Sequence, residues 1–158
     1  MLLHWIPKSV YGLVHGATRH LLKRPVVGIA AVCVTPDGQW LLIRRADSGE
    51  WGLPGGTLEW GETLSAALGR ELEEEAGVLR YSLARVLGAW SSPARDARFH
   101  AVTVGVLVRV DLPSKPPMNP LEIREVRLFS DHDLPSELAF DMQDILAVAR
   151  ENRDATLE

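Results

Sequence analysis

The chain has 158 residues and a mass of 17.4 kDa, the length of one domain, and folding buries roughly 70% of the surface of a chain this size. Hydrophobic residues make up 46% and charged residues 24%, which excludes disorder, collagen and coiled coil. The net charge of −4 leaves no basic surplus with which to coat nucleic acid.

Residues 1–24 read as an arm. Val10, Leu13, Val14, Ala17 and Leu21 recur at helical spacing, with Ser9 as a candidate cap after Pro7. The other face carries His15, Arg19, His20 and Lys23. A basic amphipathic helix suits a membrane surface, but an apolar stripe is first a packing face. The arm is therefore expected to dock on its own domain or on a second copy, giving a homodimer, rather than on a membrane. Met1 to Ile6 has no basic start, and Pro7 and Lys8 cut its apolar run short, so no signal peptide is expected. Cys33 is the single cysteine, which excludes an intramolecular disulfide and points to a reducing, cytoplasmic setting.

From Pro25 the pattern changes to strands. Val26 to Val34 is rich in β-branched residues, Pro36-Asp37-Gly38 makes a turn, and Trp40 to Arg44 returns as the second arm of a hairpin. Gly49 to Gly56 reads as a loop. Thr63 to Ala76 reads as a helix ended by Gly77. Tyr81 to Trp90 and Phe99 to Val110 are strand candidates, the second apolar on both faces and so expected to be central. Four prolines make Asp111 to Pro120 a loop. Ile123 to Phe129 is a short strand, Phe140 to Arg150 a closing amphipathic helix, and residues 151–158 a frayed polar tail. The domain proper is expected to span residues 25–150.

One stretch carries chemistry. It runs Gly56, five residues, Glu62, seven residues, Arg70-Glu71-Leu72, one residue, Glu74-Glu75, one residue, Gly77-Val78. On a helix, Leu64 and Leu72 fall within about 40° of Leu68. Glu71, Glu74 and Glu75 form a stripe from about 240° to 340°, bordering the apolar one. A run of glutamates alone reads as a solvated face. These three border the core instead, where repulsion and burial both penalise their charge. A divalent cation relieves both, and oxygen-only ligands favour Mg²⁺, with Mn²⁺ as a substitute. Gly55 and Gly56 let backbone atoms approach a metal or phosphate. Glu62 suits the positive end of the helix, and Arg70 reaches Glu74 at i+4. Seven fixed letters at this spacing arise by chance with a probability on the order of 10⁻⁹ per start position.

At these residues the chain resembles the Nudix hydrolases. Gly56, Glu62, Arg70, Glu71, Leu72, Glu74, Glu75, Gly77 and Val78 match the Nudix box without a departure. The approach Trp51 to Gly56 and the later stretch Glu125 to Ser130, ahead of Asp133-Leu134-Pro135, are similar to the family as well. The resemblance spans about Pro25 to Arg150. It implies an α/β/α sandwich with a mixed β-sheet between helices, and Mg²⁺-dependent hydrolysis of a nucleoside diphosphate linked to another moiety. It also implies metal ligands at Glu71, Glu74, Glu75 and the Gly55 carbonyl, with Glu62 and Arg70 as orienters. The family often adds one carboxylate from outside the box. Glu125 matches best and Glu122 second. The proton acceptor would be Glu71, Glu75 or Glu125. A non-catalytic binding module is the alternative from another class, but such modules tend to lose box glutamates and this chain keeps all of them.

Ser92 to His100 resembles a stretch of ADP-ribose pyrophosphatases and related nucleoside diphosphate sugar hydrolases. Arg95 and Arg98 offer forked donors for phosphate or ribose oxygens, and His100 alternates onto the face of Arg98. Trp60 is a candidate stacking platform for a base or sugar, and Arg44 is grouped with these substrate contacts. The expected substrate is a small nucleotide, ADP-ribose or a nucleoside diphosphate sugar. The alternative is a nucleoside triphosphate cleaved with release of pyrophosphate.

Overall fold

Strands that are apolar at every position need cover on both faces, and Val26–Val34 is such a strand. In the computed structural model, which describes residues 24–158, it is β1, at the centre of an eight-stranded mixed sheet. The other strands are β2 (Trp40–Arg45), β3 (Trp51–Gly52), β4 (Gly55–Thr57), β5 (Tyr81–Trp90), β6 (Ala101–Val110), β7 (Ile123–Phe129) and β8 (Thr156–Leu157). The helices are α1 (Leu64–Ala76) and α2 (Gln143–Arg150), the second preceded by a 3₁₀ turn at Ala139–Asp141. Thus the mixed sheet between helices is what the chain adopts. The arm expected over residues 1–24 lies outside the described residues except for Arg24. No helix among the described residues is long and apolar enough to cross a membrane.

Alternation along β1 divides the core. Ile29, Ala31 and Cys33 join Leu41, Ile43 and the α1 residues Ala67, Leu68, Leu72 and Ala76 on one face. Ala30 and Val32 join Leu42, Leu53, Leu87, Trp90 and the α2 residues Ile145, Leu146 and Val148 on the other. Strand β1 runs parallel to β6, from Val26 opposite Ala101 to Val34 opposite Arg109. On its other edge it pairs antiparallel with β2 at Cys33 and Val34, and with β4 through Ala30 opposite Gly55. Strands β3 and β7 both pair with β2, and β5 pairs with β6. Gly105 of β6 leaves room for Trp90 and Ile145, whose side-chain atoms lie 2.6 Å from where its Cβ would be.

Three expectations are corrected. The loop expected over Gly49 to Gly56 holds β3 and β4, too short to register as strand patterns. The helix expected over Phe140 to Arg150 is broken at its start, because Phe140 and Asp141 sit in the left-handed region at φ 58° and 54°. The tail expected to fray is docked: Thr156 and Leu157 pair in parallel with Gly88 and Ala89.

The end of α1 decides where the site-bearing helix stops. The Gly77 N–H bonds the Glu73 carbonyl and the Val78 N–H the Leu72 carbonyl, a Schellman-type close with Val78 buried beneath it. Gly77 has φ +66°, and a Cβ there would collide with the Lys115 carbonyl oxygen. Gly38 has φ +79° but open space around it. Gly38→Ala should therefore cost about 1 kcal/mol in urea unfolding, for the left-handed conformation alone. Gly77→Ala should cost about 1–3 kcal/mol more, for the collision. Equal losses at the two sites would refute this account of Gly77.

Candidate active site

Helix α1 opens at Thr63, whose Oγ1 accepts the Ala66 N–H at 3.2 Å. Its apolar positions turn toward the sheet and carry Glu71 and Glu75, four residues apart, in with them. The two glutamates are only 8% and 7% exposed. Glu73 and Glu74 stay on the exposed side, so the acidic stripe is split rather than continuous. The inward pair meets strand β4. The Gly55 N–H donates to Glu75 Oε2 at 2.8 Å. A Cβ on Gly56 would collide with Glu71 Oε1, so only glycine leaves room for that carboxylate.

Arg70 ties the cluster together. Its Nε and Nη2 donate to the two oxygens of Glu62 at 2.9 and 3.0 Å, a bidentate fork. Its Nη1 donates to Glu71 Oε1 at 2.8 Å, and Nη2 also reaches the Thr57 carbonyl at 3.3 Å. The i+4 partner Glu74 is farther, at 3.6 Å. Glu62 thus acts on Glu71 through Arg70, and Arg70 fixes the helix to β4.

A cleft opens beside this cluster. Its lining includes Gly28, Gly56, Thr57, Asp96, Arg98 and Phe140, together with Arg95. Asp96 holds Arg98 by a fork, Nε at 3.0 Å and Nη2 at 2.8 Å. The Arg98 guanidinium lies 4.5 Å from the Phe140 ring centre, and that of Arg45 lies 5.0 Å from it. The structure therefore brings Arg95 and Arg98 to a cleft that they share with Gly56 and Thr57, and the box glutamates are not among its lining. Trp60, His100 and Arg44 do not line the cleft. Trp60 is 97% exposed. His100 Nε2 contacts the Ser91 carbonyl at 2.8 Å, and Arg44 Nε donates to the Gly49 carbonyl at 3.0 Å.

The NUDIX domain family model matches residues 24–149. The chain belongs to the Nudix family. It is a hydrolase of phosphoric anhydrides. An ADP-ribose pyrophosphatase of Methanocaldococcus jannaschii is 33% identical to it over 132 residues, 80% of this chain and 73% of that protein. A Nudix hydrolase structure from Nitrosomonas europaea is 28% identical, with a TM-score of 0.68 over 85% of this chain and 77% of that one. The Nudix domain of Shewanella oneidensis NrtR, solved with ADP-ribose, is 24% identical, with a TM-score of 0.68 over 93% and 99%. That last likeness is one of fold.

The two candidate carboxylates outside the box lie on β7 and just before it. Glu125 on β7 pairs with Arg127 at 2.6 Å and lies 3.7 Å from Arg44. Glu122, the second choice, is the one whose charge acts on Glu71, Glu75 and Arg98. Sequence spacing cannot separate two glutamates three residues apart at the mouth of one strand. Phe140 gave no signal, because nothing in its neighbours marks a left-handed residue.

Burial sets the electrostatics. It pushes Glu71 above the usual carboxylate range against the pull of Arg70. It pushes Glu75 up to about 8, with the Gly55 N–H pulling the other way. Hydrogen bonds from Arg70 hold Glu62 below that range. Among the described residues no three carboxylate, histidine or cysteine side chains are gathered to hold an ion as they stand. The donor set still suits a hard cation. It is all oxygen, its two buried carboxylates resist ionising alone, and glycine clears the space beside Glu71.

Glu75 gives the metal-free protein a defined pH dependence. Its folded value lies above the unfolded one, so its contribution is intact below pH 4.5 and is lost as pH rises through about 8. In chelator, Glu75→Gln should melt above the parent chain at pH 8, with the gap closing toward pH 4.5. A gap that stays constant across this range would show that Glu75 ionises freely in the fold.

Proposed function

We propose that this Nudix hydrolase cleaves the diphosphate of ADP-ribose or a related nucleoside diphosphate sugar, with Mg²⁺, to a nucleoside monophosphate and a sugar phosphate. The observation that carries the reading is the shared cleft. Gly56 and Thr57 of the box and Arg98, Asp96 and Phe140 of later segments line one opening. An aromatic ring and a forked guanidinium, with Gly56 set against the Glu71 carboxylate, suit a molecule with a base, a ribose and a diphosphate. The Methanocaldococcus jannaschii relative, an ADP-ribose pyrophosphatase, supports the same choice.

Glu71, Glu75, Glu74 and the Gly55 carbonyl would hold the cation. When bound, it would supply neutralisation of the diphosphate charge and a more acidic water. The chain's own residues do the rest. Arg70 aims Glu71 and keeps it from turning into the core. The Gly55 N–H orients Glu75. A carboxylate, Glu71, Glu75 or Glu125, accepts the proton of the attacking water. Arg98, set by Asp96, meets substrate oxygens. The reading extends to a homodimer that uses the apolar positions of residues 1–24, and to a reducing cytoplasmic setting, supported by the lone and buried Cys33.

Two measurements test it. Glu71→Gln and Glu75→Gln should each lower kcat by at least about 10²-fold with the circular dichroism spectrum retained, as for loss of a contact made in the transition state. Near-parental turnover in both would remove the metal assignment. Side-by-side kcat/KM values should favour ADP-ribose or a nucleoside diphosphate sugar over nucleoside triphosphates. A triphosphate ahead by about tenfold, roughly 1.4 kcal/mol in transition-state binding, would reverse the substrate choice.

A further inference from the structure

Arg95 lines the cleft, but four of its five guanidinium N–H donors are committed to protein. Nε reaches both Glu158 oxygens at 3.1 Å, and Nη1 reaches the Asp141 carbonyl at 2.9 Å. Nη2 reaches Asp144 at 2.7 Å and Glu158 Oε1 at 2.8 Å. A guanidinium so engaged has at most one N–H, on Nη1, to offer a phosphate. Arg95, expected to touch substrate, also forms a joint between two segments.

One segment is the strap of residues 151–158. Glu158 Oε2 accepts the N–H groups of Ser91 at 2.9 Å and Ser92 at 2.8 Å, and the Glu158 carbonyl accepts the Ser91 hydroxyl at 2.9 Å. Arg85 donates to the Arg153 carbonyl at 2.8 Å. Gly88 makes the close approach of the strap feasible, since a Cβ there would collide with Thr156. Together the fork of Arg95 and the two N–H groups hold the Glu158 carboxyl down to about 2. The other segment is the turn before α2. There Phe140 and Asp141 occupy the left-handed region, which a bulky residue keeps only when its surroundings enforce it. Arg95 grips the carbonyl of Asp141 in this turn, and Phe140 presents its ring to Arg98 and the cleft.

We propose that Arg95 is a positioning residue, clamped by Glu158, that holds the strained Phe140–Asp141 turn, so that residues 151–158 set the affinity of the cleft for its substrate. The chain of contacts runs from Glu158 to Arg95, to the Asp141 carbonyl, to the Phe140 ring. Losing the clamp frees Phe140 to leave the left-handed region, and the ring with it. The box glutamates and Arg70 make no contact with any of these groups in the bonds described above, so the effect falls on binding rather than on chemistry. The choice of ADP-ribose as probe rests on the function proposed above; the clamp itself does not.

The test compares the full chain with Glu158→Ala and Glu158→Gln, the second keeping one carbonyl acceptor. Backbone hydrogen exchange is followed over residues 138–142 and over α1, and kcat and KM are measured with ADP-ribose and Mg²⁺. Glu158→Ala should speed exchange over residues 138–142 by about tenfold and leave α1 unchanged, the mark of a local opening. It should raise KM by about tenfold with kcat within about threefold, and Glu158→Gln should fall between. Unchanged exchange over residues 138–142, an unchanged KM, or faster exchange throughout α1 would each overturn the proposal. Should Glu158→Ala fail to fold, Arg95→Lys, which keeps the charge and loses the fork, replaces it with the same expected results. A parent chain inert toward ADP-ribose would refute the substrate reading, and the exchange result would then decide the clamp alone.

Discussion

Arg70 donates at once to Glu62, to Glu71 and to the Thr57 carbonyl, and the geometry of the whole site hangs on that fork. The need for it comes from where the helix places its acids. Glu71 and Glu75 enter the helix–sheet interface because they share a face with Leu68 and Leu72. A carboxylate buried without partners is costly to keep ionised. Glu71 is answered by Arg70 and Glu75 by the Gly55 N–H. Both answers require α1 to sit tightly on β4, where Gly56 leaves room for the Glu71 carboxylate and Gly55 lets β4 approach the Ile29 carbonyl of β1. The acids, the glycines and the arginine form one solution to one burial problem.

The cleft follows another logic. No single motif builds it. Arg98 and Asp96 come from the connection before β6, Phe140 from the turn before α2, and Gly56 and Thr57 from the box. Their alignment depends on packing between elements far apart in the chain, including a strand, β8, of only two residues. An acidic cluster built locally and a cleft assembled at long range are free to vary separately.

This division also explains what could be read from the sequence. The spacing from Gly56 to Val78 located the acidic wall, since helical period and glycine placement are local properties. The strands β1, β5 and β7 and the central place of β6 were legible from apolar runs. Arg95 was visible as a basic residue in the right stretch, but its partners Glu158, Asp144 and Asp141 lie beyond any spacing rule. Trp60 looked like a platform and stands in solvent, because a tryptophan between Glu59 and Gly61 carries no sign of which way the loop turns. Phe140 shows the limit most plainly. A left-handed aromatic contradicts local preference and is sustained by tertiary contacts.

The parallel pairing of β1 with β6 has a consequence for how the chain comes to be folded. Val26 finds its partner Ala101 only after the hairpin, the box helix and β5 have been made. Closing that span costs chain entropy before the contact returns anything. During synthesis, β2, β4 and α1 are available to β1 early, but its other edge stays open until the sixth strand emerges. An apolar strand with a bare edge is a site for wrong pairing with other chains. The most protected strand of the finished protein is thus the one left longest unguarded while the protein is being built.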